Sequence, residues 1–519
     1  MRDTRDAKHI VQLSVRFPHW HRRCSGPVCG CHAAEPDDAR GRTAGRMAIW
    51  IFIGACRLSF ISNVAKIPEA CESCQNQPLR MPAYTTSSAP PATRREIFAW
   101  AMFDFANSGY TTVVLTAIFN AYFVGVVAGN GPDHDGTATL LWTFATGIAN
   151  VLVLLSAPVI GAIADHGGKK KIFLLASTAG CVLFTALLAQ VGPGEVALGM
   201  LLLVLSAFMF HTGEDLIAGF LPEIADARDM GRVSGYGWSL GYLGGMLVLG
   251  LCLIYVMAAQ ARGESAAQYV PVTMLITAAA FALAALPTFL WLRERAVPQP
   301  LPSVAEALRA GFARVRTTFE HAHHYRDLFR FLITLSVYYC GIYTVIVLAA
   351  VYAQQVMGFS TQDTIVMILV VNATAALGAF GFGRLQDHIG SVPTLALTLL
   401  VWITALVLAY IIETRSGFWV VANLVGIALG SSQSAGRALI GLFSPPARSA
   451  EFFGLWGLAG KLASVIGPLC YGLVTFFSRG NHRLALLVTA AFFVAGLLLL
   501  MTVNERRGRL AAQTDNGQR

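Results

Sequence analysis

Ionisable and amide side chains interrupt segments that otherwise hold almost nothing but apolar residues. In FDFANSGY, residues 103–110, Asp104 and Asn107 stand three residues apart, and Tyr110 and Thr111 continue the same helical face. HTGEDLIAG, 211–219, adds His211, Glu214 and Asp215, which fall on two adjacent stripes of a helix. Arg437 and Lys461 each lie within a later apolar run. A charged group at the centre of a membrane-length apolar stretch costs about 2.5–3.5 kcal/mol on an insertion scale, so each reads first as functional. Glu214 is the first candidate to carry a proton. Arg437 or Lys461 can hold a carboxylate while an acid opposite holds an amine, a pattern suited to a zwitterion. Each residue also has a structural reading. Asp104 can bond neighbouring helix ends, Arg437 can close a gate as an ion pair, and Lys461 stays open between the two roles. His211 with Glu214 and Asp215 could also do acid/base or metal work in a membrane enzyme, but no nucleophile pair or second ligand cluster accompanies them.

The elements that must position these groups follow from composition. Of 519 residues, 55% are hydrophobic and 13% charged, against about 25% charged in an ordinary soluble domain. That excess of apolar surface calls for lipid, and a soluble enzyme is excluded. Apolar runs of about 20 residues, enough to cross the hydrocarbon layer, recur from Ile97 to Val503. Polar, glycine and proline punctuation divides them into spans at 97–127, 138–164, 172–191, 197–221, 233–258, 268–292, 329–354, 362–385, 392–412, 416–442, 452–476 and 483–503. Alternate connections differ in basic residues. One set holds Arg94, Lys169, Lys170, Lys171, Arg228, Arg293, Arg384, Arg448 and Arg506, and the other only Arg262, Arg415, Arg479 and Arg483. Both termini are therefore expected in the cytoplasm, in a bacterial inner membrane. The net charge of +9 is accounted for by this asymmetry and implies no nucleic acid. No glycine loop with Lys-Ser/Thr supports direct ATP coupling.

Residues 1–92 differ from the rest. CSGPVCGCH and a distant CESC suggest thiolate ligands with His32, but the gap between them, holding MAIWIFIGAC, weighs against a zinc site. The apolar patch is too short to span a membrane. The segment is expected to have no fold of its own, with Met81 the initiator. The expected organisation is a six-helix unit over 93–292, a connection over 293–328, a second unit over 329–503 and a cytoplasmic tail over 504–519. In the connection, Val304, Leu308, Phe312, Val315 and Phe319 recur at helical spacing behind a Ser303–Glu306 capping box, which predicts an interfacial helix. His321, His323 and His324 near its end read as solvated rather than metal-binding.

The two units repeat each other. GAIADHGGKKK at 161–171 is echoed by GRLQDHIGSVP at 383–393, 222 residues later, and GFLPEIADARDMGRVSGYGWSLG is echoed more loosely by GLFSPPARSAEFFGLWGLAG. A duplicated six-helix unit explains both. Glycine, three residues, aspartate and a basic glycine-rich cluster after the second span resemble the signature of the major facilitator superfamily. WAMFDFANSGY, FLPEIA and RVSGYGWSLGYLGG together resemble its vacuolar amino-acid effluxer group. The resemblance implies an all-α membrane protein of twelve transmembrane helices in two pseudo-symmetric six-helix bundles. Helices one, four, seven and ten would line a central cavity, and small solutes, amino acids foremost, would move by alternating access. It implies no cofactor and no enzyme activity, and a monomer is usual. Gly161, Asp165, Lys169, Lys170 and Asp387 then read as gating residues, with Asp165 accepting from helix amides and pairing with Lys169 or Lys170. Gly237, Gly241 and Gly245, and likewise Gly454, Gly457 and Gly460, read as helix-packing seams. HTGEDLIAG is more charged than the family's usual approach to LPEIA, which leaves the substrate open.

Overall fold

A computed structural model describes residues 92–129, 137–295, 324–359, 361–478 and 481–516, with Glu306, Arg309, Phe312, Ala313, Arg316, Thr317, Thr318 and Glu320 of the central connection. Among these residues, twelve helices are long and apolar enough to cross a membrane: α1 (Arg94–Val127), α2 (Leu140–Gly167), α3 (Lys170–Gln190), α4 (Val196–Ile224), α5 (Met230–Ala261), α6 (Ala266–Trp291), α7 (Arg326–Ala349), α8 (Val366–Ile389), α9 (Ser391–Ile411), α10 (Arg415–Phe443), α11 (Pro446–Thr475) and α12 (His482–Leu500). The protein is an integral, multi-pass membrane protein. Large apolar side chains such as Leu155, Ile254, Leu283, Leu290 and Leu377 point outward, as lipid-facing positions should.

Local chemistry sets the helix boundaries. Thr93 and Glu96 form a capping box at the start of α1, with the Thr93 amide donating to Glu96 Oε2 at 2.8 Å. After Tyr110 the helix widens into π-helical turns over Thr111–Ala117 and Phe123–Val127. The Thr111 and Thr112 hydroxyls donate back to the carbonyls of Asn107 and Ser108, at 3.2 and 2.6 Å, and so compete for acceptors just where the ladder loosens. Gly168 and Gly390 take the left-handed conformation that lets α3 and α9 start at once after α2 and α8.

Packing follows the duplication. α1 packs on α5 and α6, α2 on α4, and α3 on α4 and α6; six helices later, α7 packs on α11 and α12, α8 on α10, and α9 on α10 and α12. The halves meet along two seams that exchange under the same relation, α2 with α11 and α5 with α8. Glycines bring the backbones together there. A Cβ on Gly161 would run into the Ala450 carbonyl, and one on Gly231 would stand 2.7 Å from the Gly383 carbonyl oxygen. The residues beyond the last span are helical: α13 (Glu505–Asn516) packs on α7 and α10, with Gly508 against the Phe443 ring. Glu306, Arg309, Phe312 and Arg316 are helical and exposed. Ser303, Val304, Leu308, Val315, Phe319, His321 and His323 lie outside the described residues, as do the amino-terminal cysteines, His32 and Met81.

The glycines of α5 differ in how closely they are approached. A Cβ on Gly244 would meet the Phe105 ring at 2.6 Å, whereas one on Gly250 would meet nothing within 4 Å. Gly244→Val should therefore destabilise the detergent-purified protein by roughly 1–3 kcal/mol as an overpacking change. Gly250→Val on the same helix should leave the thermal midpoint nearly unchanged.

Candidate functional site

The sequence places Asp104, Asn107 and Tyr110 on one face of α1, but their side chains take different neighbours. Asp104 reaches across to the other half, where its Oδ2 accepts from Arg437 Nη1 of α10 at 2.7 Å. The guanidinium also donates from Nε to Ser234 Oγ at 3.2 Å and from Nη2 to the Ser234 carbonyl at 2.9 Å. It lies over the rings of Trp100 and Trp238, with centroids at 4.7 and 5.2 Å. Only 4% of the Arg437 side chain and 12% of Asp104 is exposed, so the pair is held almost out of water. Gly237 makes the room: a Cβ there would strike the Asp104 carboxylate and stand 2.7 Å from the Trp100 ring. Gly241 and Gly245 continue the seam against Ser108 and Thr112.

Tyr110 turns to α4 instead. Its hydroxyl is 2.8 Å from Ser206 Oγ, and its ring stacks on Phe210 at 4.7 Å. Asn107 is buried, and its Oδ1 has no hydrogen-bond partner among the described residues.

His211, Glu214 and Lys461 come together across the halves. His211 Nδ1 is 3.2 Å from Glu214 Oε2 and 2.7 Å from Lys461 Nζ. One ring nitrogen cannot serve both. Carrying a hydrogen, Nδ1 donates to Glu214; without one, it accepts from the lysine ammonium. Glu214 keeps 34% of its side chain exposed, the most open of the three acidic candidates on α1 and α4. Asp215 is buried against α11, where a Cβ on Gly457 would strike its carboxylate, and its Oδ2 has no hydrogen-bond partner among the described residues. The α11 glycines thus divide their work. A Cβ on Gly454 would stand 2.8 Å from the Ala157 carbonyl, Gly457 makes room for Asp215, and a Cβ on Gly460 would come no nearer than 3.6 Å to Tyr343 and Tyr339.

Toward the ends of these helices where Lys169 and Arg228 lie, both seams are pinned by helix capping. Asp165 Oδ2 accepts from the Glu451 amide at the start of α11, at 2.9 Å. Its counterpart Asp387 accepts from the Gly231 and Arg232 amides at the start of α5, at 2.9 and 3.0 Å. Lys170 is wholly buried between Asp165, at 3.2 Å, and Glu223, and donates to Ser449 Oγ at 2.9 Å. Lys169 is exposed, so of the two lysines expected beside Asp165 it is Lys170 that pairs with it. The next ring of carboxylates repeats as well. Glu294 accepts from the Lys170 and Lys171 amides, and Glu505 accepts from the Ser391 and Val392 amides at 2.9 and 3.1 Å. Burial holds the Glu294 carboxyl above its ordinary range.

Several of these participants carry no mark in a linear reading. Trp100 and Ser234 stand in quoted motifs without any sign of a charge partner, and Gln433 is an ordinary residue in an apolar helix, until the fold brings the first two to Arg437 and the last to Tyr242. The Tyr242 hydroxyl bonds to Gln433, and the Trp238 ring lies under the guanidinium. Glu294 and Glu505 could have been paired from sequence, because each follows the last span of its unit within a few residues. Among the described residues no group of three His, Cys, Asp or Glu is placed to hold a metal ion.

The buried pair makes a sharp prediction. Arg437→Gln leaves Asp104 uncompensated and should cost about 3–5 kcal/mol of stability. The double change Asp104→Asn with Arg437→Gln should cost less than the sum of the singles, as thermal unfolding of the four proteins in detergent will read.

The sequence profile of the family described as "Vacuole effluxer Atg22 like" matches residues 126–513. The MFS-type transporter YxiO of Bacillus subtilis is 28% identical over 422 residues, which are 80% of this chain and 97% of that protein. Autophagy-related protein 22 of Eremothecium gossypii is 21% identical over 81% of this chain and 93% of its own. The fold is similar to those of the human organic anion transporter MFSD10 and the proton:xylose symporter XylE. MFSD10 has a TM-score of 0.62 at 16% identity over 79% of this chain and 100% of its own; XylE has 0.61 at 13% over 82% and 98%. Its relatives are transporters rather than enzymes, and the chain belongs to the Atg22-like vacuole effluxer family, within the major facilitator superfamily of membrane transporters.

Proposed function

We propose that this transporter moves small zwitterions, amino acids foremost, by alternating access, with proton coupling through α4. The observation that carries this reading is the His211–Glu214–Lys461 cluster. It sets both charge signs on opposite halves, α4 and α11, around an imidazole that can bond only one of them through Nδ1 at a time. A solute bearing an ammonium and a carboxylate matches those two signs: Lys461 takes the carboxylate, and Glu214, with Asp215 next to it on α4, takes the amine, Asn107 of α1 being a further polar candidate. A proton on or off His211 and Glu214 then changes how firmly the two halves are tied. Tyr110 positions α4 through Ser206 and Phe210.

Arg437 with Asp104 is a gate in this reading, since the pair is almost fully enclosed and joins α1 to α10. Asp165, Lys170 and Asp387 fasten the seams, and Gly161 lets α2 approach α11. Lys169, exposed, serves the positive-inside asymmetry and not the fastening. Because basic residues collect at the fastened end, that end faces the cytoplasm, both termini are cytoplasmic, and the arrangement is the one closed to the cytoplasm. A monomer in a bacterial cell membrane suffices for the mechanism. The alternative is a different small polar solute, which the same charges would also accept.

The test is flux of labelled amino acids into liposomes containing the purified protein, with and without a pH gradient. Glu214→Gln is expected to abolish gradient-driven accumulation while exchange across the membrane persists. Lys461→Met should raise the apparent KM by tenfold or more, the loss of a charge-assisted contact of about 1.5–3 kcal/mol. If no amino acid moves through folded protein, the cargo assignment is wrong. Accumulation that survives Glu214→Gln would remove this residue from proton coupling.

A further inference from the structure

The two copies of the glycine–aspartate motif are not equally filled. In the first, Gly168 is followed by Lys169, Lys170 and Lys171, and the Lys170 side chain occupies the space between Asp165, Glu223 and Ser449. In the second, Gly390 is followed at the matching positions by Ser391, Val392 and Pro393, and the position matching Glu223 is Pro445. Both members of the buried ion pair are missing there. A cleft of about 520 Å³ opens beside these positions, against Asp387, Gly390, Ser391 and Pro393, large enough for a small polar ligand.

The cleft straddles the α5–α8 seam. Ala227, Arg228, Met230 and Gly231 of one half form one wall, and the opposite wall comes from α8, α9, α10 and α13 of the other. Its acids are already engaged. Both oxygens of Asp387 hold the α5 amides, and Glu505 holds the α9 amides through Oε2 and pairs with Arg509 through Oε1. Arg228 and Arg506 are exposed on facing walls, and among the described residues neither has an ion-pair or hydrogen-bond partner. Gln386 at its floor is buried and donates to Ser391, with its Oε1 unpaired among the described residues. Two uncompensated guanidinium groups, a third half-engaged, and the amino-terminal end of α9 favour negative charge.

We propose that this cleft binds a small anion bearing phosphate, which bridges Arg228 on one half to Arg506 and Arg509 on the other and so holds the α5–α8 seam shut. The ligand takes the place of the cation and carboxylate that the first copy of the motif builds into its own seam. It is distinct from the transported solute and lies at the amino-terminal end of α5, lined by Met230 and Gly231 and not by His211, Glu214 or Lys461. A ligand that touches both walls must leave, or let go of one, before the α5 amides can part from Asp387. Its effect is to slow opening at this end. The inference rests on the alternating-access reading for its consequence, but its test reads the seam itself and not flux, so either can fail without the other.

The experiment is hydrogen exchange of the peptide containing Gly231 and Arg232, with the full chain in nanodiscs of zwitterionic lipid, with and without inorganic pyrophosphate. A ligand selective for the closed seam, at ten times its Kd, should slow exchange through opening by roughly tenfold. The protection should vanish in Arg228→Gln with Arg506→Gln, both exposed positions, and persist in Arg316→Gln, an exposed arginine away from the cleft. Protection seen only in nanodiscs containing phosphatidylglycerol, and lost in the same double variant, would support the site with a lipid headgroup as its occupant. Exchange unaffected by pyrophosphate and by phosphatidylglycerol, or protected equally in the double variant, would overturn the proposal.

Discussion

Charge inside a bilayer must find a partner, and the architecture of this protein is organised around that requirement. Arg437 and Lys170 are enclosed to a degree that water could not compensate, and each is compensated by carboxylates and hydroxyls contributed by several helices. Because Arg437 lies on one half and Asp104 on the other, the pairing ties the halves together. The same bond that solves a local solvation problem therefore stabilises one global arrangement. Removing a partner is costly, yet a change in protonation or the arrival of a charged solute can alter the balance without breaking the fold.

Backbone amides carry as much of this load as side chains do. Asp165, Asp387, Glu294 and Glu505 each accept from the free amides at the start of a helix. Two of them do so on a helix of the opposite half. A carboxylate at a helix start meets both the unpaired donors and the positive end of the helix dipole. The bond needs only that the helix ends be in register, so it can form and release as the halves move. Glycines at the crossings of α2 with α11 and α5 with α8 allow that register, because any side chain there would meet backbone.

The duplication explains why the two seams look alike and where they differ. The aspartates and the turn glycines, Gly168 and Gly390, are kept in both copies, since capping and reversal are needed at both. Lys170 and Glu223 have no counterparts in the second copy, where Val392 and Pro445 stand. One seam is closed by an internal ion pair and the other is left with a polar cleft. An inexact repeat is thus a source of function: the same backbone supports a built-in fastening on one side and a ligand-accessible one on the other.

The sequence by itself determined the membrane class, the spans and the two-fold plan. Each rests on a property that acts along the chain: a length of apolar residues matched to the hydrocarbon layer, basic residues between the spans, and a motif repeated at a constant offset. It also marked Asp104, Glu214, Arg437 and Lys461 as costly and therefore meaningful. Tertiary structure decided the pairing. Nothing in the linear order says that Asp104 meets Arg437 and not Lys461, that Lys170 and not Lys169 enters the core, or that Asp104 and Tyr110 on one helical face look to different helices. Nor does it say that Ser234, Trp100 and Trp238 complete the arginine's surroundings. Those choices depend on helix rotation and crossing, set by which glycines let backbones approach, and a charge takes the partner that this packing brings within reach.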